Sequence, residues 1–148
     1  MHNLTTRYNY YYNAKLKLNI AIKKSASANE DDYTKILPIY TYDTDMSAGS
    51  AEMDDIIKRC SNGINFHPLS KWKPDCYFIL GQAYYFKKES QNALDAFQFI
   101  QTQYKEKLVK GKPVKTKYRW YEHKPITNEA LLWLIKSYIQ MGKLDEAD

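Results

Sequence analysis

Residues 75–100 read DCYFILGQAYYFKKESQNALDAFQFI and contain two stripes at helical spacing. In the first half, four residues recur at i, i+3, i+4 and i+7 and so share one helical face: Tyr77, Leu80, Gly81 and Tyr84. In the second half, Ala93, Phe97 and Ile100 form another buried stripe. Because Gly81 has no side chain, a second helix can approach it closely, and we expect the small Ala93 to meet it there. The stretch therefore predicts a helical hairpin.

The same positions match the tetratricopeptide (TPR) repeat, a helix–turn–helix unit of about 34 residues. Its first helix has the spacing W-x2-L-G-x2-Y, which Tyr77 begins with tyrosine in place of tryptophan. The small and aromatic positions of its second helix are those of Ala93 and Phe97. We predict an all-α fold in which TPR-like helical hairpin repeats form a short right-handed solenoid.

Composition fits one compact domain. The 148 residues are 44% hydrophobic and 26% charged, and 14 are tyrosine and 3 tryptophan, which suits rings wedged between helices. No apolar run reaches the roughly 18–20 residues of a membrane span. The opening MHNLTTRYNYYYN lacks the apolar core of a signal peptide.

The chain is interpreted as a single TPR-like domain, residues 1–148, with six parts. These are a degenerate repeat helix (1–28), a connector (29–49), a helix (50–68), the best-formed TPR (74–107), a basic insert (108–127) and a truncated TPR (128–148). We expect the chain to continue beyond Asp148, because the last repeat has barely begun its second helix and an array needs a closing cap.

The predicted first helix, residues 4–28, has one main stripe and a second stripe beside it. The main stripe is Tyr8, Tyr12, Leu16 and Asn19, and the second is Tyr11, Leu18 and Ile22. Packing of the tyrosines against the next helix is favoured over a stacking platform for bases or sugars. In the connector, Asp43, Asp45 and Ser47 resemble the start of a calcium loop, which we reject because the required Gly and Glu are missing.

The helix of residues 50–68 has a clear beginning and end. Ser50 can cap it, and His67-Pro68 stops it. Its apolar face consists of Met53, Ile56, Ile57, Cys60 and Ile64. Pro74 and Ser90 are predicted to begin the two helices of the hairpin, Ser90 as a cap. Cys60 and Cys76 match no zinc pattern and are interpreted as small buried thiols, with a disulfide between them left open.

The positive charge of the chain is local. Between Lys105 and Lys124 there are eight Lys or Arg and two Glu. The candidate contact residues of this insert are Lys110, Lys112, Lys115, Lys117, Arg119 and Trp120. A solvated insertion, more mobile over residues 108–124 than the flanking helices, is favoured. Contact with phosphates or an acidic partner is the alternative.

The last repeat is predicted to open at Asn128. Leu131, Leu134 and Tyr138 fall in register, followed by Gly142, Leu144 and Ala147. Stacked hairpins form a concave groove, and the residues expected to face it are Phe78, Gln82, Tyr85, Leu132, Lys136 and Ile139. We expect Phe78 and Tyr85 to be partly exposed there, since both lie off the packing stripe.

Three segments together resemble one family. They are HNLTTRYNYYYNAKLKL (2–18), DDYTKILPIY (31–40) and KRCSNGINFHPLSKWKPDCYFILGQAYYFKK (58–88). The chain resembles, over about residues 2–104 and again at the final helix pair, the TPR-repeat lipoproteins of Bacteroidetes gliding motility and type IX secretion (the SprE/PorW type). The resemblance implies a periplasmic protein attached to the outer membrane through a lipidated cysteine upstream. It also implies a role in assembling the secretion machinery and no enzymatic activity.

The residues themselves favour a protein–protein interaction scaffold. His2, His67 and His123 are scattered, and no nucleophile lies beside a base, so we expect no enzyme, metal, cofactor or small-molecule substrate. One alternative is a cytosolic TPR adaptor that grips a terminal carboxylate with Lys, Asn and Arg. The places for those residues instead carry Phe78, Gln82, Glu129 and Trp133. The other alternative is nucleic-acid binding through the basic insert, which is less favoured.

Overall fold

A computed structural model describes residues 2–28, 50–104 and 123–142. These residues form five helices and no strand, which confirms the all-α class and is compatible with a helical repeat. The helices are α1 (residues 2–28), α2 (Ser50–Phe66), α3 (Lys73–Phe86), α4 (Ser90–Tyr104) and α5 (Thr127–Gln140). The connector at 29–49, most of the basic insert and residues 143–148 lie outside the described residues.

Each helix packs mainly on the next one along the chain, and α3 also contacts α1 and α5. Helix α3 therefore lies at the centre of the molecule. Nine of its residues are buried, and they are distributed around the whole helix rather than on one face. The hydrophobic core lies around this helix and includes residues of the other four helices.

Helix α1 is continuous, as predicted, but it contains a π-helical segment. Thr6–Tyr12 is π-helical between α-helical His2–Thr5 and Asn13–Ala28. The predicted main stripe is wrong, because Tyr8, Tyr12 and Leu16 are about half exposed and Asn19 is exposed. The buried residues are Thr6, Ala14, Leu18 and Ala21, with Tyr10, Tyr11 and Ile22 partly buried against the core.

Close approach of α1 to α2 explains this choice of face. A Cβ atom added at Gly63 of α2 would lie 2.8 Å from the Cβ of Tyr10 in α1. Gly63 has no side chain and so leaves room for Tyr10, while Ala14 and Ala21 are small buried residues on the same face of α1. The predicted second stripe lies on the buried side, since Leu18 is buried and Tyr11 and Ile22 are partly buried.

Helix α2 agrees with its prediction. It begins at Ser50, buries Met53, Ile56, Cys60 and Ile64, and ends before His67-Pro68. Cys60 and Cys76 are both fully buried and free here, which agrees with their interpretation as small buried thiols. Burial raises the pKa of both thiols, that of Cys76 to about 12, so both are neutral packing groups at physiological pH.

The α3–α4 hairpin has the predicted close contact, with a different partner. A Cβ at Gly81 would lie 2.7 Å from the ring of Phe97, so Phe97 rather than Ala93 occupies the space beside the glycine. Pro74 lies in the first turn of α3, as predicted. Ser90 is not the cap of α4, because the Glu89 carbonyl accepts the first helical bond, from the Ala93 N–H at 3.1 Å. The Ser90 hydroxyl instead donates to Oε1 of Gln140.

Helix α5 closes the described part of the chain. It begins at Thr127, one residue before the predicted Asn128, and Gly142 follows its end with a φ of 73°. Leu134 and Tyr138 are half-buried, whereas Leu131 is exposed. Leu144 and Ala147 lie outside the described residues. Among the helices that the structure describes, none is long and apolar enough to cross a membrane.

Candidate functional site

The six predicted groove residues separate into three environments. Phe78 and Gln82 line a cavity on one side of α3. Tyr85 is buried against Trp133, with ring centroids 5.3 Å apart. The expectation that Phe78 and Tyr85 are partly exposed is wrong, since each is only 8% exposed. Trp133 of α5 packs edge-on against both rings and excludes them from solvent.

The other three predicted groove residues lie on α5, away from the cavity. Leu132 and Ile139 are more than half exposed, and the Lys136 ammonium lies 4.8 Å from the centre of the Trp133 ring. The structure therefore does not bring all six residues to one surface. The candidate contact residues of the basic insert, at positions 110–120, lie outside the described residues, but the end of the predicted mobile segment contributes His123 and Lys124 to the cavity.

The cavity has a volume of about 420 Å³ and lies between α1, α3 and the residues that begin α5. This volume is within the range of about 300–1,000 Å³ usual for ligand pockets. Its apolar part is formed by residues from all three elements: Leu18, Ile22, Phe78, Ile79 and Ile126. Half of the 14 lining residues are polar or charged, so the cavity offers hydrogen-bonding groups beside its apolar wall.

Trp72 forms one wall of the cavity and is held from several sides. The Tyr11 ring lies against it with centroids 5.1 Å apart, and the His123 ring meets it edge-on at 4.6 Å. The Arg7 guanidinium lies 5.1 Å from the centre of the indole, within the range of a cation–π contact. These contacts fix the indole in place, so the wall is formed before any ligand binds.

A short polar contact joins α3 to the segment before α5. Nε2 of His123 lies 2.6 Å from Oδ2 of Asp75, whose side chain is only 6% exposed. Asp75 is in the first turn of α3, where a carboxylate also interacts favourably with the helix dipole. Because Asp75 is buried, this contact holds residues 123–126 against the cavity.

Tyr11 and Lys15 form a second polar pair at the rim. Nζ of Lys15 donates to the Tyr11 hydroxyl at 3.2 Å. Burial raises the pKa of Tyr11, while the Lys15 bond partly opposes this. The phenol is therefore neutral at physiological pH and can still donate its proton to a ligand.

Two amide side chains at the cavity make no hydrogen bond within the described part of the chain. They are Asn19 of α1, which is exposed, and Gln82 of α3, which is half-buried. Lys124 and Glu129 also line the cavity without an ion pair to any described residue. These groups are available for a ligand, whereas the Asp75 carboxylate is already engaged by His123.

Sequence reasoning identified Phe78 and Gln82 of this cavity and missed most of the rest. Asp75 and His123 are 48 positions apart, and no local spacing signals that they meet. Trp72 precedes α3 and belongs to no stripe. The tyrosine-rich start did indicate aromatic packing, but Tyr10 and Tyr11, and not Tyr8 and Tyr12, face inward.

Comparison of the chain with protein families, curated proteins and solved structures finds no match. In the part of the chain that the structure describes, no three His, Cys, Asp or Glu residues are grouped so that they could hold a metal ion. The geometry of the cavity and the sequence patterns are therefore the basis for a proposed function.

Proposed function

We propose that the protein is a non-enzymatic protein–protein interaction scaffold of TPR-like repeats, and that the cavity between α1, α3 and α5 receives a segment of a partner protein. The observation that carries this proposal is the position of the cavity. In stacked hairpins, alternate helices form the concave surface that binds partners. Helices α1, α3 and α5 alternate along the chain, and all three contribute to the cavity walls.

The packing of the aromatic residues supports the same assignment. Phe78 closes the contact with α4 and α5, since its ring meets Phe97 and Trp133, yet it also lines the cavity. The cavity thus lies directly on a well-packed core. A rigid support of this kind limits the entropy lost when a partner binds.

We further propose that the scaffold acts in type IX secretion and gliding motility, as a lipoprotein on the periplasmic side of the outer membrane. The family resemblance supports this setting. Two of the three resembling segments supply cavity residues: residues 2–18 include Tyr11 and Lys15, and residues 58–88 include Trp72, Asp75 and Gln82. Part of the candidate site is therefore built by segments that suggest the family.

Complementation of a gliding bacterium that lacks the gene tests the proposal. Gln82→Trp would fill the cavity, and Gln103→Trp places the same side chain on an exposed position of α4 as a matched control. We expect both variants to fold, to match wild-type levels and to fractionate with the outer membrane. Only Gln103→Trp should restore gliding and secretion. Normal secretion in the deletion strain, or equal rescue by both variants, would contradict the proposal.

A further inference from the structure

We infer that the cavity binds an extended, uncharged polypeptide segment, which Asn19 and Gln82 hold through its main chain while one apolar side chain enters the cavity. This inference rests on the proposed function and specifies its ligand. It is carried by the two amides that make no hydrogen bond to any described residue, the apolar lining of the cavity and the balance of charge around it.

The two amides have the chemistry of a main-chain receptor. Each primary amide offers one carbonyl acceptor and two N–H donors, which complement the N–H and C=O of a peptide backbone. Asn19 belongs to α1 and Gln82 to α3, so the two lie on different walls of the cavity. An extended chain presents donors and acceptors along both of its edges. A segment between the two helices can therefore bond to both amides.

The chemistry of the cavity favours an extended segment over a helix. The main-chain N–H and C=O groups of a helix bond within the helix, whereas those of an extended segment are free to bond to Asn19 and Gln82. The apolar residues Leu18, Ile22 and Ile79 line the interior. Removal of apolar surface from water favours binding there, so an aliphatic or aromatic side chain of the ligand is the group that enters.

The charges at the cavity select neither sign. Lys15 and Lys124 are opposed by Glu129, and the Asp75 carboxylate is paired with His123. An anionic ligand, such as a terminal carboxylate or a phosphate, would require a cluster of cations without nearby carboxylates. The mixed charges favour a segment that is uncharged where it crosses the cavity.

Peptide selection followed by chemical editing of the selected peptide tests the inference. A linear random-peptide library is selected on the purified protein, and the best binder is resynthesised with amidated and acetylated ends. N-methylation of the main-chain amides beside its apolar residue should weaken the Kd at least tenfold. Gln82→Ala and Asn19→Ala should each weaken it several-fold. The matched controls Gln103→Ala and Asn65→Ala, which alter exposed amides outside the cavity, should leave it unchanged.

Three results would overturn the inference, and they are distinguishable. Binding that Gln82→Trp abolishes, but that N-methylation and Gln82→Ala do not affect, would refute main-chain recognition and leave the cavity as the binding site. Binding that requires a free carboxylate and is lost in Lys15→Gln would identify an anionic ligand instead. Selected peptides that bind Gln82→Trp and wild type equally would refute both the inference and the proposed function.

Discussion

Helix α3 takes part in two junctions that differ in how their space is filled. Where α3 meets α4 and α5, the rings of Phe78, Phe97 and Trp133 pack with centroids about 6 Å apart and leave Phe97 fully buried. Where α3 meets α1 and the start of α5, a cavity of about 420 Å³ remains. The first junction is therefore a packed core, and the second is a candidate binding site.

Polar groups distinguish the two junctions as well. The filled junction, where α3 meets α4 and α5, is aromatic, and in it Gly81 lies against the ring of Phe97. The open junction, where α3 meets α1 and the start of α5, holds two amides without partners among the described residues. The indole of Trp72 forms one of its walls. Unfilled space next to polar groups without partners lowers the stability of a protein, and proteins retain it where it serves binding. Substitutions at the filled junction should therefore change stability, and those at the open junction should change binding.

The largest effect is expected at Phe97. Phe97→Ala should lower the free energy of unfolding by about 3–5 kcal/mol, because it removes a fully buried ring and leaves a cavity. Phe66, which is 64% exposed, is the matched control, and Phe66→Ala should have little effect. Urea unfolding followed by circular dichroism measures both. Equal midpoints for the two variants would show that the α3–α4 contact is not the core described here.

A smaller loss is expected at Gly81. Gly81→Ala should cost about 1–3 kcal/mol, since the added Cβ would lie 2.7 Å from the Phe97 ring and the packed ring must move. If that contact is the cause, Phe97→Leu should relieve it, so the double variant should be less destabilised than the sum of the two single variants. Additive losses in this double-mutant cycle would show that the two positions do not touch.

The buried thiols predict how stability depends on alkaline pH. The folded pKa of Cys76, about 12, lies above the ordinary value of 9.0, and burial raises that of Cys60 in the same direction. The unfolded chain therefore loses thiol protons first, so this contribution to stability is complete below about pH 9 and declines up to about pH 12. Each thiol should contribute a slope of about 1.4 kcal/mol per pH unit. The Cys60→Ala/Cys76→Ala variant should show a shallower slope from pH 9 to 11, and an unchanged slope would contradict their burial.

The filled junction was largely predictable from the sequence, and the open junction was not. The apolar spacing from Tyr77 to Phe97 predicts two helices joined by a short turn, and the apolar faces of two such helices pack together. Gly81 could be assigned to a close contact, although its partner proved to be Phe97. Phe78 and Tyr85 were wrongly predicted to be partly exposed, because the sequence of α3 alone does not show that Trp133 of α5 covers both rings.

The open junction depends on contacts between residues that are distant along the chain. Asp75 contacts His123, which lies 48 positions further along the chain. Trp72 contacts Arg7 and Tyr11 of α1 and also His123. Tertiary contacts of this kind leave no periodic signal.

The smallest effect on stability is expected at the open junction. Asn19→Ala and Gln82→Ala should each change the free energy of unfolding by no more than about 0.5 kcal/mol, because neither amide bonds to another described residue. The same urea unfolding experiment applies. A loss of 1 kcal/mol or more at Gln82 would mean that its amide supports the fold, and the contrast between the two junctions would fail.

The side-chain amide signals of Asn19 and Gln82 provide the most direct test of the cavity as a binding site. Two-dimensional ¹H–¹⁵N NMR resolves these NH₂ groups together with those of Asn65 and Gln103, which lie outside the cavity. On titration with the selected peptide, the account predicts that the signals of Asn19, Gln82 and the Trp72 indole shift together while those of Asn65 and Gln103 stay in place. Shifts confined to the exposed side of α5, around Leu132 and Ile139, with the cavity signals unchanged, would contradict it.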